Sequence, residues 1–222
     1  MLFMNEIKGY LRDFRIDVPH VIYDCRGLKI FGRRIKSIVF STDVSIIRNC
    51  NADAVIAVYP FTPQPVLTQA VMMVADFPVF VGVGGGLTKG ERVINLARHA
   101  EYQGATGVVL NAPTSNDTIR EVAKTVDLPI VVTVVKEDDI QARLDAGVQI
   151  INVSAAAKTP ELVAKIRSEY PDIPIMATGG PTDETIKATI EAGADAITWT
   201  PPTNGEVFRD IMEAYRKGEP HP

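Results

Sequence analysis

Short apolar runs rich in β-branched residues recur at regular intervals along this chain, and most of them end in Gly, Pro, Ser, Thr or Asn. Patterns typical of helices separate them. The runs cover residues 35–42, 53–60, 79–86, 107–112, 129–135, 149–155, 174–180 and 196–202. Eight strand–helix units in a chain of 222 residues predict a closed (β/α)8 TIM barrel. Because active sites in this fold lie where strands end and loops begin, the pattern also indicates where to look for function.

The segments between the runs carry apolar residues at the spacing of a helix with one buried face. The clearest of these stripes lie within residues 66–74, 93–100, 119–126, 162–170 and 207–215. Gly104, Gly147 and Gly193 each follow a helical pattern and precede a strand, as glycines at helix ends do. Thr182, followed by two acidic residues, is typical of a helix start.

The first 34 residues precede the first barrel strand. Residues 4–15 place Met4, Ile7, Leu11 and Phe14 on one face of a predicted helix. Residues 20–34 resemble a small hairpin that turns at Arg26-Gly27. We expect residues 1–34 to cover the bottom of the barrel and residues 1–222 to form one domain.

Composition narrows the possible partners and the compartment. The net charge is −4 and no basic tract occurs, so a nucleic-acid partner is not expected. No apolar run reaches the length of about 18 residues that a membrane span needs, so no membrane partner is expected either. Cys25 and Cys50 form no CxxC pair, and the N-terminus lacks a signal-peptide core. A cytoplasmic protein with reduced thiols is the expectation, and a homo-oligomer is left open.

The end of the seventh run is the strongest candidate for binding an anion. Thr178, Gly179 and Gly180 lie there, and two glycines let backbone N–H groups approach a ligand closely. The loop after the eighth run contains Thr203-Asn204-Gly205 and leads into a helix. Loops at these two places bind phosphate in many barrels. The structural alternative is that the two glycines only form a tight turn.

Residues 173–198, IPIMATGGPTDETIKATIEAGADAIT, resemble the C-terminal quarter of phosphate-binding (β/α)8 barrels. Examples of that superfamily are N-acetylmannosamine-6-phosphate 2-epimerase and 2-keto-3-deoxy-6-phosphogluconate aldolase. Residues 79–87 and 128–155 resemble the aldolase, so the resemblance covers roughly residues 79–200. It implies a sugar-phosphate ligand and an isomerase, epimerase or lyase.

The chain departs from that superfamily at two points. In the superfamily, strand eight usually ends in a Gly-Ser or Gly-Thr pair that donates backbone N–H groups, whereas this chain has Pro201-Pro202, which lack N–H groups. The phosphate contact then depends on Thr203, Asn204 and Gly205. The Schiff-base lysine of the aldolase corresponds to Asn152, and a carboxamide cannot form an imine. Aldolase chemistry of that type is therefore not expected.

Glycines also follow the third run, where Gly84, Gly85 and Gly86 precede Lys89. Three glycines in a row reduce stability through chain entropy, which indicates that something approaches the backbone closely. We interpret Gly85, Gly86 and Lys89 as substrate-binding residues. The alternative is a wide turn beside a bulky neighbour.

Proton transfer needs an acid or a base above the barrel. Lys136 ends the fifth run and Asp43 follows the first, and these two are the predicted catalytic residues. A solvent-exposed loop lysine and a helix cap are the structural alternatives. Asn111 and Asn152 lie near strand ends and, with Thr178, are predicted to contact the substrate.

The patterns of several enzyme classes are missing. His20, His99 and His221 do not lie at strand ends, and neither HExxH nor GxSxG occurs. No metal site and no cofactor are therefore predicted, although the phosphate of a flavin could occupy the same loops.

Together these observations predict a metal-independent enzyme of carbohydrate metabolism. Its partner would be a small anionic metabolite, a phosphorylated or carboxylated sugar-like compound, and its reaction that of an isomerase, epimerase or lyase. Because strong catalytic groups are scarce, a non-catalytic barrel that senses a ligand remains the alternative.

Overall fold

The computed structural model describes residues 7, 9 and 14–221. An antiparallel hairpin, β1 (Leu28–Ile30) and β2 (Arg33–Ile35), precedes eight parallel strands. These are β3 (Ser37–Phe40), β4 (Ala54–Ala57), β5 (Val79–Gly84), β6 (Gly107–Leu110), β7 (Ile130–Val134), β8 (Ile150–Val153), β9 (Ile175–Thr178) and β10 (Ala196–Trp199). They pair in chain order and β10 closes the ring by pairing with β3. The predicted (β/α)8 barrel is confirmed, and each barrel strand lies within its predicted run.

A helix follows each barrel strand. The helices are α1 (Val44–Arg48), α2 (Pro65–Val74), α3 (Glu91–Tyr102), α4 (Asn116–Thr125), α5 (Ile140–Asp145), α6 (Thr159–Glu169), α7 (Asp183–Glu191) and α8 (Asn204–Arg216). Short 3-10 turns lie at His20–Asp24 and Ala156–Lys158. Thr182 caps α7 as predicted, through reciprocal hydrogen bonds with Thr185. No helix among the described residues is long and apolar enough to span a membrane.

Alternation along the strands divides the core into two layers. One set of strand residues fills the inside of the barrel: Ile38, Ala54, Ile56, Phe80, Val109, Val131, Ile150, Met176 and Ala196. The residues between them in sequence point outward and pack against the helices. This alternation decides which side chains after each strand face the barrel axis, and therefore which can meet a ligand there.

The hairpin forms as predicted, but its turn lies at Phe31-Gly32 and not at Arg26-Gly27. Gly27 instead donates its amide to the Asp195 carbonyl oxygen (2.8 Å), which ties this point to the barrel. Leu28, Ile30 and Ile35 join the cluster inside the barrel. The helix predicted over residues 4–15 lies mostly outside the described residues, and the assignment of 1–34 to a single barrel domain remains a prediction.

The stripe of α8 was predicted to be buried, and this is wrong. No residue of α8 is buried, and Phe208 is 65% exposed. The layer beside α7 is filled instead by the His20–Asp24 turn, whose Ile22 is fully buried. Apolar periodicity shows that a helix is amphipathic. It does not show which segment of the chain packs its apolar residues against the barrel.

Candidate active site

A cleft opens where β3, β4, β6 and β10 end. We call it the mouth cleft; its volume is about 510 Å³. Its lining consists of Phe40, Ser41, Thr42, Asp43, Ile46, Val58, Tyr59, Pro60, Asn111, Thr200, Pro201, Pro202 and Thr203. A smaller cavity of about 120 Å³, the side cavity, adjoins it at the ends of β4, β5 and β6. The two share Val58, Tyr59, Pro60 and Asn111, so one ligand can extend from one into the other.

Polar side chains near the carboxyl ends of four strands form a group that we call the floor, and its members, including the predicted contacts Asn152 and Thr178, lie outside the lining of the mouth cleft and of the side cavity. Thr133, Asn152, Thr178 and Thr198 each lie two residues beyond an inward-facing residue of their strand, and they therefore face the barrel axis. Asn152 Nδ2 donates to Thr133 Oγ1 (3.2 Å), and Thr178 Oγ1 donates to Ser154 Oγ (3.1 Å).

Two atoms of this floor have no hydrogen-bond partner among the described residues. They are Asn152 Oδ1 and Thr198 Oγ1, on side chains that are 6% and 5% exposed. A buried polar atom without a partner costs about 1–3 kcal/mol, and most such atoms in folded proteins are satisfied. The floor therefore has unused hydrogen-bonding capacity. Asn152 Oδ1 can only accept, so it requires a donor.

Asp43 lies at the rim of the mouth cleft and caps α1. Its carboxylate accepts hydrogen bonds from Ser45 N (2.9 Å), Ile46 N (3.2 Å), Ser45 Oγ (2.8 Å) and Asn204 Nδ2 (2.6 Å). Burial raises the pKa of Asp43, but these hydrogen bonds outweigh it and hold the pKa below its ordinary value of 3.8. The structure thus brings together a predicted catalytic residue and Asn204, a predicted phosphate ligand, in one contact.

Asn111 is positioned by its backbone, which leaves its side chain to the cavities. Its amide donates to the Gly84 carbonyl oxygen (2.9 Å), and its carbonyl oxygen accepts from Thr114. Among the described residues, no hydrogen bond is made by the Asn111 carboxamide, which lines both cavities.

Among the three consecutive glycines Gly84, Gly85 and Gly86, packing explains why residue 85 has no side chain. A Cβ there would lie 2.0 Å from Thr114 Oγ1, and the residue has a φ of +112°. The close approach inferred from sequence is therefore made by the loop after β6. Gly86 has open space around it and lines the side cavity. Lys89 is exposed and lies outside the lining of both cavities.

In the turns predicted to hold phosphate, some of the backbone N–H groups already donate to acceptors within the protein. Gly179 N donates to the Thr198 carbonyl oxygen (3.2 Å), and Thr203 N donates to the Glu206 carboxylate (2.7 Å). The Glu184 carboxylate accepts hydrogen bonds from the backbone amide of Glu184 and from the Thr182 side chain, and both lower its pKa. Carboxylates thus lie at the starts of α7 and α8, where an anion would otherwise bind.

Of the predicted phosphate ligands, Thr203 lines the mouth cleft. Gly179 and Gly180 are outside its lining, although the Gly180 amide has no partner among the described residues. At Gly180 a Cβ would lie 2.6 Å from Thr185 Oγ1, and φ is +83°. Contact with Thr185, the partner of Thr182 in the cap of α7, therefore accounts for this glycine.

Lys136 is not brought to the mouth cleft. β7 ends at Val134, so the alternation of its residues does not extend to Lys136, which lies two residues further along and is exposed. It lines a separate cavity of about 210 Å³ next to α6.

Two residues are absent from the predicted site: Tyr59, which lines the mouth cleft, and Thr198, which belongs to the floor. Tyr59 Oη accepts a hydrogen bond from Gln64 N (2.7 Å), which leaves the phenolic hydrogen free to donate. Thr198 could have been found from alternation, since it follows the inward-facing Ala196 by two residues. Tyr59 follows β4 in an irregular loop, where no periodicity gives the direction of a side chain.

The architecture is similar to that of several solved enzymes. Phosphonopyruvate hydrolase superposes with a TM-score of 0.63 at 14% identity, over 86% of this chain and 85% of the other. The 4-hydroxy-tetrahydrodipicolinate synthase of Methylacidiphilum fumariolicum SolV gives 0.60 at 14% identity, over 82% and 74%. At these identities the likeness shows the fold.

One of these neighbours corrects the prediction that no cofactor is involved. A second structure of phosphonopyruvate hydrolase, with a TM-score of 0.60 and 14% identity over 84% of each chain, is a complex with oxalate and Mg²⁺. Among residues 7, 9 and 14–221, no group of three or more His, Cys, Asp or Glu side chains could hold a metal ion. The mouth cleft contributes one carboxylate, Asp43, whose oxygens already accept four hydrogen bonds. The described residues therefore do not fit a magnesium site built from several carboxylates.

Sequence comparison adds a relative and a family. A segment of 64 residues, 27% of this chain, is 39% identical to inosine-5'-monophosphate dehydrogenase of Aquifex aeolicus (strain VF5) and covers 13% of that enzyme. The profile of the ribulose-phosphate 3 epimerase family matches residues 79–200, which extend from β5 to the end of β10. This match confirms the resemblance to phosphate-binding barrels. The chain belongs to the ribulose-phosphate 3 epimerase family.

Proposed function

We propose that this chain is an enzyme that binds a small hydroxylated anionic metabolite, of the sugar-phosphate or sugar-acid class, in the mouth cleft. The unpartnered floor atoms carry the proposal. Asn152 Oδ1 and Thr198 Oγ1 are buried without partners among the described residues. A ligand hydroxyl that enters from the mouth cleft past its lining would donate to the first and bond the second. A polyol therefore suits this floor better than an apolar ligand does.

The anionic part of the ligand is supported by the family, which is named for an epimerase of ribulose phosphate. Next to the lining residue Thr203, the amides of Asn204 and Gly205 in the first turn of α8 have no partner among the described residues and could donate to an anion. Glu206 occupies the neighbouring amide of Thr203. Binding of a phosphate here would therefore require the Glu206 carboxylate to move.

The reaction we propose is an isomerisation, epimerisation or lyase step in which a proton moves next to a carbonyl group. Asp43 and Tyr59 are the titratable side chains in the lining of the mouth cleft. Asp43 is ionised and can accept a proton, and Tyr59 has a free hydroxyl hydrogen to donate to a carbonyl oxygen. Asn111 would orient the ligand between the mouth cleft and the side cavity.

Solvent deuterium exchange tests the proposal. The full chain is incubated in D₂O with a panel of sugar phosphates and hydroxy or keto acids, with Mg²⁺ and with a chelator. NMR then follows the C–H signals of each compound. We expect one class of compound to exchange or convert, and Asn152→Leu to abolish this. Asn95→Ala, on the exposed face of α3, is the matched control and is expected to behave as wild type. If no compound binds or reacts, or if Asn152→Leu is as active as wild type, the proposal is wrong.

One observation favours a second candidate, a barrel that senses the same ligand without converting it. The hydrogen bonds that lower the pKa of Asp43 also make it a weak base. The same experiment separates the two functions. A compound that binds by calorimetry, loses affinity in Asn152→Leu and shows neither exchange nor conversion supports sensing.

A further inference from the structure

The cavity that Lys136 lines lies outside the barrel wall, where β7 and β8 end. We call it the lysine cavity; its volume is about 210 Å³. It is lined by Val135, Lys136, Glu137, Ala155, Lys158, Glu161, Leu162 and Lys165. In the closed barrel β7 is four strands from β3. The lysine cavity and the Asp43 rim of the mouth cleft therefore lie on opposite sides of the mouth.

Of the three lysines that line this cavity, one forms an ion pair with a described residue and two do not. Lys165 Nζ lies 2.8 Å from Glu137 Oε1, and this contact raises the pKa of Lys165 and lowers that of Glu137. Lys136 and Lys158 form no ion pair with any of the described residues. Glu161 is the remaining acid in the lining. Two lysines thus line one cavity, and neither is bound to a carboxylate in the part of the chain that the structure describes.

The backbone beside Lys158 is strained. Ala156 has a φ of +50°, a left-handed conformation that costs a non-glycine residue of order 1 kcal/mol or more. The turn it forms places Lys158 directly before the first residue of α6, a helix of 11 residues. The positive end of that helix adds to the field of the two lysines.

The wall of the cavity is apolar. Ala155 and Leu162 belong to the layer between strands and helices, and Val135 is 48% exposed. A site with cations at its edge and aliphatic side chains on its wall suits a small anion attached to a short apolar body.

We propose that the lysine cavity is a second binding site, for a small organic oxyanion, a carboxylate or a phosphate monoester, held by Lys136 and Lys158. This site is independent of the function proposed for the mouth cleft. It also gives Lys136 a different role from the proton transfer predicted from sequence.

The test is a titration of the full ¹⁵N-labelled chain with inorganic phosphate and with phenyl phosphate, with benzyl alcohol as the neutral comparison. We expect both anions to shift the amides of Ala155, Lys158 and Glu161, phenyl phosphate at lower concentration, and benzyl alcohol to leave them in place. Replacing two cations should weaken binding strongly, so Lys136→Gln combined with Lys158→Gln should raise the Kd by about tenfold or more.

Lys29→Gln, on the exposed edge of β1, removes the same charge elsewhere and should leave the Kd unchanged. Circular dichroism of each variant confirms that it is folded. The proposal is overturned if the anions shift no amide around the cavity, if the double variant binds them as wild type does, or if Lys29→Gln weakens binding equally. Failure of this test leaves the deuterium-exchange result untouched, because that experiment reports on the mouth cleft.

Discussion

At the scale of single residues, Asp43 shows how one carboxylate can have both a structural and a chemical role. It caps α1 through Ser45 N and Ile46 N, and it holds Asn204 at the start of α8. Four accepted hydrogen bonds favour the ionised form, so the group carries a negative charge at neutral pH.

The stability due to Asp43 should depend on pH. A carboxylate whose folded-state pKa is depressed contributes stability that is present above the ordinary value of 3.8 and is lost as pH falls through the folded-state pKa. Asp43→Ala should therefore lower the free energy of unfolding by about 1 kcal/mol at neutral pH, as loss of a helix cap does, and by less below pH 3.8. Urea unfolding at several pH values measures this. Asp210→Ala, whose side chain is 72% exposed, is the control; a difference for Asp43→Ala that stays constant into acid would contradict the ionised cap.

At the scale of elements, the N-terminal extension contributes a buried residue to the core, whereas α8, whose apolar stripe was expected to be buried, contributes none. The His20–Asp24 turn packs against α7 with Ile22 fully buried. The longer and more strongly patterned α8 keeps Phe208, Met212 and Tyr215 exposed. Burial of apolar area stabilises an element only if that area has a surface to meet. A five-residue turn in the core therefore contributes more to stability than the apolar stripe of a helix that remains in water.

Two truncations of similar chemistry compare these elements. Ile22→Ala should lower the free energy of unfolding by about 2–5 kcal/mol, because it leaves a cavity in a packed layer. Phe208→Ala removes a larger side chain, yet it should change that free energy by no more than about 0.5 kcal/mol. Denaturant unfolding of both variants gives the two values. Equal losses would mean that the α8 stripe is buried in solution.

Sequence predicted the barrel because strand periodicity and helix-end glycines are local signals. Gly104, Gly147 and Gly193 have positive φ and end helices as predicted, and every barrel strand falls in its predicted run. The site was harder to predict, since it depends on which way side chains point after a strand ends. Lys136 lies two residues past the end of β7 and lines a cavity beside α6 instead of the mouth cleft. At Gly85, a side chain would collide with Thr114 of another loop. Such contacts between distant parts of the chain leave no pattern in one sequence.

At the scale of the whole molecule, Asp195 links the extension to the barrel. Its carboxylate, 8% exposed, lies 3.0 Å from Arg26 Nε and 2.7 Å from Arg167 on α6, and it accepts a hydrogen bond from Ile175 N (2.9 Å). Its carbonyl oxygen accepts from Gly27 N. One residue thus joins the segment before the hairpin, a helix and two neighbouring strands, at the opposite end of the strands from the mouth cleft.

Asp195→Asn tests whether this network supports the entire fold. The amide keeps the size of the side chain but leaves the Arg167 guanidinium, 16% exposed, without its carboxylate. Removing one partner of a buried ion pair costs about 3–5 kcal/mol. We expect about 3 kcal/mol here, because Arg167 still donates to the carbonyl oxygens of Pro171, Ile173 and Gly193.

Urea unfolding measures this loss of stability, and the control Asp210→Asn on the exposed face of α8 should change the free energy of unfolding by less than about 1 kcal/mol. If both substitutions give the same unfolding midpoint, Asp195 does not hold the extension to the barrel. If Asp195→Asn instead lowers the midpoint in a single cooperative transition, the extension and the barrel unfold together, as one domain must.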